Sequence, residues 1–128
     1  MKQDPRTQPT PSELEILHVL WSRGPSTVRE IHDVLCEQKE VGYTSALKLL
    51  QIMTAKGLVT RAEDQRAHVY AATLPAEKTK QQFASDVLNR VFRGSASQLM
   101  QHVLSGKRGS KKEIEEIRRM LDEYEGKL

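Results

Sequence analysis

Cysteine is nearly absent from this sequence: Cys36 is the only one in 128 residues. An intramolecular disulfide is therefore impossible, and one chain cannot build a thiolate metal cluster. The helical spacing of Val28, Ile31 and Leu35 places Cys36 near the apolar side of its segment, where we expect a buried thiol. The four histidines form no HxxxH motif and no Cys/His cluster, so we expect no metal and no other cofactor.

Long apolar runs and aromatic side chains are also scarce. No stretch approaches the roughly 18 apolar residues of a membrane span, and the amino terminus lacks a signal-peptide core, so we expect a cytoplasmic protein. Only 5% of the residues are aromatic, so burial depends on aliphatic side chains that a second copy of the chain would help to cover. The sequence has no nucleophile elbow and no phosphate-binding glycine loop, which argues against an enzyme.

The protein is mildly basic, with a formal net charge of +3 at pH 7. Residues 1–75 contain nine Lys or Arg and nine Asp or Glu, so the excess lies in the remainder of the chain. Between residues 43 and 70, however, four cations accompany two acids. Because phosphate neutralisation supplies much of the affinity for nucleic acid, only this local surplus favours such a partner.

The segment 42–72 has the most informative pattern. At about 100° per residue, a predicted helix has one apolar side and one side of hydroxyl, amide and ammonium groups. The apolar side consists of Ala46, Leu47, Leu50 and Met53, and the polar side of Thr44, Ser45, Lys48 and Gln51. Gly57 predicts the end of the helix in a left-handed conformation. Two β-prone runs, 58–61 and 68–71, then predict an antiparallel hairpin.

A polar-faced helix followed by a hairpin is the layout of a winged helix-turn-helix. Base edges in the major groove are recognised by short hydroxyls, amides and cations. On the hairpin, Arg61, Arg66 and His68 would contact phosphates or the minor groove. One alternative is a winged-helix scaffold that binds proteins and never contacts DNA. Another is a regulator switched by oxidation of Cys36.

The remaining sequence predicts further helices. Ser12 with Glu15, and Thr27 with Glu30, have capping-box spacing and predict two helices before the polar-faced one. We predict a flexible tail over residues 1–11, a winged-helix domain over 12–75 and a helical dimerisation region over 76–128. The fold class is mainly α with a small β-hairpin wing, hence α+β. The predicted dimerisation residues are Phe83, Val87, Leu88, Val91, Phe92, Leu99, Met100, Val103, Leu104, Ile114, Ile117 and Leu121.

Several segments together resemble the penicillinase repressor family, of the BlaI and MecI type. They are SELEILHVLW from Ser12, TVREIHDVL from Thr27, GYTSALKLLQIM from Gly42, RAEDQRAHVYAA from Arg61, and VFRGSASQLM followed by KKEIEEIRRML. The resemblance covers nearly all of residues 12–124. It implies a homodimeric winged-helix repressor that binds palindromic operators in double-stranded DNA, in front of β-lactamase or related resistance and stress genes.

Position by position, the family's recognition-helix motif falls on Tyr43, Thr44, Ser45 and Lys48, and its basic wing residues fall on Arg61, Arg66 and His68. Family members commonly have threonine at the position of Ser45, so the hydroxyl is kept and a methyl group is lost. The resemblance also implies induction by a membrane sensor-protease system that cleaves an Asn-Phe bond. The corresponding segment 99–103, LMQHV, lacks that pair.

Overall fold

The computed structural model describes residues 8–64, 67–106 and 109–128. Within these ranges the elements are α1 (Pro11–Arg23), β1 (Ser26–Thr27), α2 (Val28–Leu35), α3 (Tyr43–Lys56), β2 (Val59–Asp64), β3 (Ala67–Ala72), α4 (Ala76–Arg90), α5 (Ala96–Gly106) and α6 (Lys111–Gly126). Helices dominate and the strands form one small antiparallel sheet, which confirms the predicted α+β class. In the described ranges, no helix is long and apolar enough to cross a membrane.

The first helix begins earlier than the sequence predicted. Thr10, not Ser12, is its N-cap: the Thr10 hydroxyl accepts from the Glu13 N–H at 3.3 Å, and the Glu13 carboxylate accepts from the Thr10 N–H at 2.9 Å. The capping box of Ser12 and Glu15 is therefore wrong. The capping-box spacing occurs twice in this stretch, at Thr10 with Glu13 and at Ser12 with Glu15. Pro11 favours the first, because proline suits the first helical position, where no N–H is needed.

The second helix is capped as predicted. The Thr27 hydroxyl accepts from the Glu30 N–H at 3.2 Å, and the Glu30 carboxylate accepts from the Thr27 N–H at 2.9 Å. Thr27 also belongs to strand β1, which the sequence did not predict. This strand pairs antiparallel with β3 through Ser26↔Tyr70 and Thr27↔Val69, so the sheet order is β1-β3-β2. Two residues are too few to show a period in the sequence.

The end of α3 leads directly into the hairpin. Gly57 adopts φ 82° and ψ 13°, the Leu58 N–H donates to the Met53 carbonyl at 2.9 Å, and the Gly57 N–H donates to the Thr54 carbonyl at 3.1 Å. This hydrogen-bond pattern closes the last turn and redirects the chain. The predicted hairpin is confirmed, with strands longer than predicted, since the ladder runs from Val59↔Ala72 to Asp64↔Ala67.

One core joins the three helices and the sheet. Its buried members are Ile16, Leu17, Val19, Leu20, Val28, Ile31, Leu50, Met53, Val59 and Tyr70. Trp21 packs against this core while partly exposed, and its Nε1–H donates to the Leu74 carbonyl at 2.9 Å.

Cys36 is exposed, so the expectation of a buried thiol is wrong. The α2 helix ends at Leu35, and Cys36 is its C-cap residue. Helical periodicity no longer describes the direction of a side chain where the helix stops. The thiol instead lies 3.3 Å from the Val41 carbonyl and 3.4 Å from Nε2 of His32.

The chain divides into two compact units, and the boundary along the sequence lies between Phe83 and Ala84, inside α4. The predicted functional boundary at residue 75 stays a prediction. In the second unit, α4 ends at Arg90, so Val91 and Phe92 of the predicted helical region lie in a turn. Gly94, at φ 86°, closes this turn with an N–H bond to the Leu88 carbonyl at 2.9 Å.

Candidate nucleic-acid interface

Helix α3 separates its two sides as the sequence predicted. Ala46, Leu50 and Met53 are fully buried. Leu47 is partly buried and packs against the core. The opposite side is exposed and contains Thr44, Ser45, Lys48 and Gln51, together with Ile52, which is 40% exposed. Since burial of one side anchors the helix in the core, the four polar side chains are held outward on a rigid element.

The amino terminus of α3 differs from those of α1 and α2. Its N-cap is Gly42, which makes no side-chain cap hydrogen bond, and its first turn contains no acidic residue. In α1 and α2, a glutamate occupies that turn. The first N–H groups of a helix lack intrahelical acceptors, and the helix dipole makes this end partly positive. The hydroxyls of Thr44 and Ser45 therefore lie in a positive environment.

A small cluster fixes the turn between α2 and α3. His32 donates from Nε2 to the Val41 carbonyl at 2.8 Å. The His32 ring also meets the Tyr43 ring edge-on, with centroids 5.8 Å apart. The Arg29 guanidinium lies 5.7 Å from the centroid of the same Tyr43 ring. No pattern in the sequence predicts the positions of Arg29 and His32, because no local spacing relates residues on α2 to the first residue of α3.

Lys56 is one of the four cations counted between residues 43 and 70, but it forms an ion pair within the fold. Its Nζ lies 2.8 Å from Oε1 of Glu13, a side chain that is only 2% exposed. This ion pair joins the end of α3 to the start of α1. The positive charge of Lys56 is thus balanced within the fold, and the predicted surplus over residues 43–70 is smaller than the sequence count.

The wing contains two of its three predicted basic residues within the described ranges. Arg61 on β2 is exposed and has no carboxylate partner among the described residues. His68 on β3 lies opposite Glu63 in the ladder, with its Nε2 3.5 Å from the Glu63 Oε1. Arg66 lies outside the described residues. Of the two basic wing residues within the described ranges, Arg61 is therefore better suited than His68 to bind an anion.

The carboxylate of Glu30 is committed to the fold. The Thr27 backbone N–H, and secondarily the Arg23 guanidinium, hold the pKa of Glu30 below its usual value of 4.5. Hydrogen bonds to the ionised form favour that form. Arg23 is correspondingly paired with Glu30 and does not add to an exposed positive surface.

The predicted dimerisation residues lie on α4, in the turn after it, and on α5 and α6. Helices α5 and α6 bury no residue. Val91 is 67% exposed and Leu121 61% exposed. The exposed large apolar residues of this unit are Val91, Met100, Val103, Leu104, Ile114, Met120, Leu121, Tyr124 and Leu128, of which Met120, Tyr124 and Leu128 were not among the predicted set.

The known proteins that this chain resembles are transcriptional regulators and repressors. The penicillinase repressor family profile matches residues 9–123. Transcriptional regulator BlaI of Mycobacterium tuberculosis (strain ATCC 25618 / H37Rv) is 40% identical over 60 residues, covering 46% of this chain and 44% of that protein. The chain thus matches less than half of that relative's length. The penicillinase repressor of Staphylococcus aureus is 22% identical over 116 residues, covering 91% of this chain and 92% of the relative.

Two further relatives extend the comparison. The methicillin resistance regulatory protein MecI of Staphylococcus aureus (strain N315) is 22% identical over 111 residues, covering 87% of this chain and 90% of that protein. The crystal structure of transcriptional regulator Tm0710 from Thermotoga maritima superimposes with a TM-score of 0.51 at 22% identity, covering 91% of this chain and 74% of the other. That likeness supports the fold alone. Because the family profile spans nearly the whole sequence, the chain belongs to the penicillinase repressor family.

Proposed function

We propose that this protein is a transcriptional repressor that binds double-stranded DNA by placing α3 in the major groove. The observation that supports this most directly is the division of α3 into an apolar side that packs into the core and an exposed side that presents hydroxyl, amide and ammonium groups. A major groove admits one α-helix, and these groups match the donors and acceptors of base edges. Membership of a family of repressors agrees with this proposal.

Each exposed group has a proposed role. Thr44, Ser45 and Gln51 contact base edges, Lys48 contacts a phosphate or a guanine, and Tyr43 borders them at the first position of α3. On the wing, Arg61, Arg66 and His68 contact phosphates or the minor groove. His68 contributes less than Arg61, because Glu63 lies beside it.

The proposed active form is a homodimer assembled through α4, α5 and α6. Exposed apolar side chains on these helices need a partner, because α5 and α6 bury none of their own residues. On α6, Ile114, Ile117, Leu121 and Tyr124 recur at helical spacing. A two-fold axis would present two copies of α3 to successive major grooves about 34 Å apart, and this geometry matches a palindromic operator.

A charged substitution tests the dimer. Leu121→Asp should convert the dimer to a monomer in sedimentation experiments, because an unpaired carboxylate in an apolar interface is costly. Lys127→Asp, also on an exposed position near the end of α6, is the matched control and should leave the dimer intact. A wild-type protein that sediments as a monomer at all concentrations would contradict the assembly.

The regulated genes are proposed from the relatives. Their names include penicillinase repressor and methicillin resistance regulatory protein, so we place the operator in front of antibiotic-resistance or stress genes. A membrane sensor-protease system is the proposed inducing partner, acting at a bond other than an Asn-Phe pair, which segment 99–103 lacks. Mass spectrometry of the repressor from cells exposed to a β-lactam would detect the fragments.

A binding experiment with the duplex upstream of the protein's own gene tests the DNA proposal. Lys48→Ala should weaken binding and reduce the salt dependence, whereas Thr44→Ala should relax the sequence preference. Thr73→Ala, at an exposed threonine after the wing, is the control for loss of a hydroxyl. Salt-insensitive and sequence-blind behaviour of the wild type would refute the repressor and favour the protein-binding scaffold.

A further inference from the structure

We infer that Arg29 is a phosphate-contacting residue, positioned for this contact by the ring of Tyr43 at the junction of α2 and α3. The inference rests on the proposed function and adds to it a contact outside α3 and the wing. Arg29 lies on α2, the helix before α3, so none of the sequence patterns in α3 predicts that it contacts DNA.

The ion pairs of the first unit single out a few cations. Among described residues 8–83, the paired cations are Arg23 with Glu30, Lys39 with Glu15, Lys56 with Glu13, and Lys80 with Glu77. Within the same described residues, those without a carboxylate partner are Arg29, Lys48, Arg61 and Lys78. Lys48 and Arg61 already belong to the proposed interface. Arg29 shares their lack of an acidic partner.

Arg29 lacks an ion pair even though its own helix supplies a candidate. Asp33 lies four residues further along α2, a spacing at which oppositely charged side chains ordinarily meet. The Asp33 carboxylate instead lies 3.2 Å from Nδ1 of His32. The Arg29 guanidinium lies over Tyr43, 5.7 Å from the ring centroid. Arg29 thus contacts the first residue of α3 and forms no ion pair with Asp33.

The Tyr43 ring is a suitable support for this cation. Tyr43 is 44% exposed, and its ring is contacted edge-on by His32, which itself donates a hydrogen bond to the Val41 carbonyl. An aromatic face attracts a guanidinium without occupying its N–H donors. The donors of Arg29 therefore stay available for an external acceptor while the position of the group is restricted.

The location favours DNA phosphate as that acceptor. Tyr43 is the first residue of α3, so the guanidinium lies beside the turn that contains Thr44 and Ser45. A planar guanidinium matches the oxygens of a phosphate and forms short charge-assisted hydrogen bonds. Contacts of this kind do not distinguish bases, but they set the register of the helix on the duplex. Arg29 would thus fix where the first turn of α3 meets the bases.

Salt titrations of DNA binding test the phosphate contact. With full-length protein and its upstream duplex, Arg29→Ala should lower the affinity by about tenfold and reduce the slope of log K against log salt by about one per protomer. The preference for this duplex over a shuffled one should remain. Lys78→Ala removes the same charge from an unpaired lysine on α4 and should leave the slope unchanged. Arg29→Ala with a wild-type slope would overturn the contact.

A double-mutant cycle tests the support by Tyr43. Tyr43→Leu removes the ring and should lower the affinity partly through Arg29, so the loss in the double variant should be smaller than the product of the two single losses. Tyr43→Phe keeps the ring, so its salt dependence should lie closer to that of the wild type than the salt dependence of Tyr43→Leu does. Thermal unfolding by circular dichroism verifies that each variant is folded. Independent, multiplicative losses would overturn the positioning role.

The outcome for the wild type separates this inference from the proposed function. A folded wild-type protein that does not bind duplex DNA refutes the repressor proposal and this contact with it. A wild type that binds its duplex in a salt-dependent manner, together with an unaffected Arg29→Ala variant, refutes only the role of Arg29.

Discussion

Removing the carboxylate of Glu13 should destabilise the first unit strongly. Glu13 is 1% exposed, and its Oε1 accepts from the Thr10 N–H at 2.9 Å and from Nζ of Lys56 at 2.8 Å. In Glu13→Ala, the N-cap N–H of α1 loses its acceptor. The Lys56 ammonium, whose side chain is 21% exposed, loses its counter-charge.

The size of this effect follows from the burial of the pair. Breaking a buried ion pair by deleting one partner costs about 3–5 kcal/mol. Because the Lys56 ammonium is partly exposed to water, we expect a loss of about 2–4 kcal/mol in the free energy of unfolding. For a unit of this size, that corresponds to a decrease in Tm of roughly 10–25 °C.

Urea unfolding followed by circular dichroism, at one fixed protein concentration, measures the loss. The matched control is Glu30→Ala, which removes the glutamate of the second capping box, where the carboxylate and its Arg23 partner are both exposed. Its effect should be clearly smaller. In the double variant with Lys56→Met, an apolar side chain replaces the unpaired ammonium, so much of the stability should return. Equal losses in Glu13→Ala and Glu30→Ala would refute the reasoning.

Three further predictions concern single positions. The pKa of Glu30 is lower in the folded protein than its usual 4.5, so its contribution to stability is present above that pH and is lost as the pH falls through the folded value. The difference in urea midpoint between wild type and Glu30→Gln should therefore shrink below about pH 4.5, and a constant difference would contradict the assignment. Gly57→Ala should cost about 1 kcal/mol, because φ is 82° while, among the described residues other than its two chain neighbours, no atom lies within 4 Å of an added Cβ. Gly106→Ala, which has equal space and no positive φ, should cost nothing, and equal unfolding midpoints for the two variants would refute a backbone cause. Cys36 should react with a maleimide in the native protein at a rate close to that in denaturant, and protection until unfolding would contradict its exposure.

Local patterns in the sequence were sufficient for much of the fold. The two sides of α3, the cap at Thr27 and the turn at Gly57 all depend on groups within one or two helical turns. At such separations the helix geometry itself brings the groups together, so the spacing of residue types is enough. For the same reason the family motifs and the polar side of α3 were recognisable without coordinates.

Other features depended on residues far apart in the chain. Glu13 caps α1 while it pairs with Lys56, 43 residues away, and this pairing also removed a cation from the predicted basic surplus. Strand β1 exists because β3 supplies its hydrogen-bond partners. The position of Arg29 depends on Tyr43 across a turn.

The sequence by itself determined which segments are helices, where the wing lies and which side chains of α3 are polar and outward. Only the tertiary structure decided which cations are neutralised, which threonine begins α1, and that Cys36 is exposed. The physical reason is that periodicity encodes the direction of a side chain within its own element. Its partner on another element is set by how the core brings the elements together.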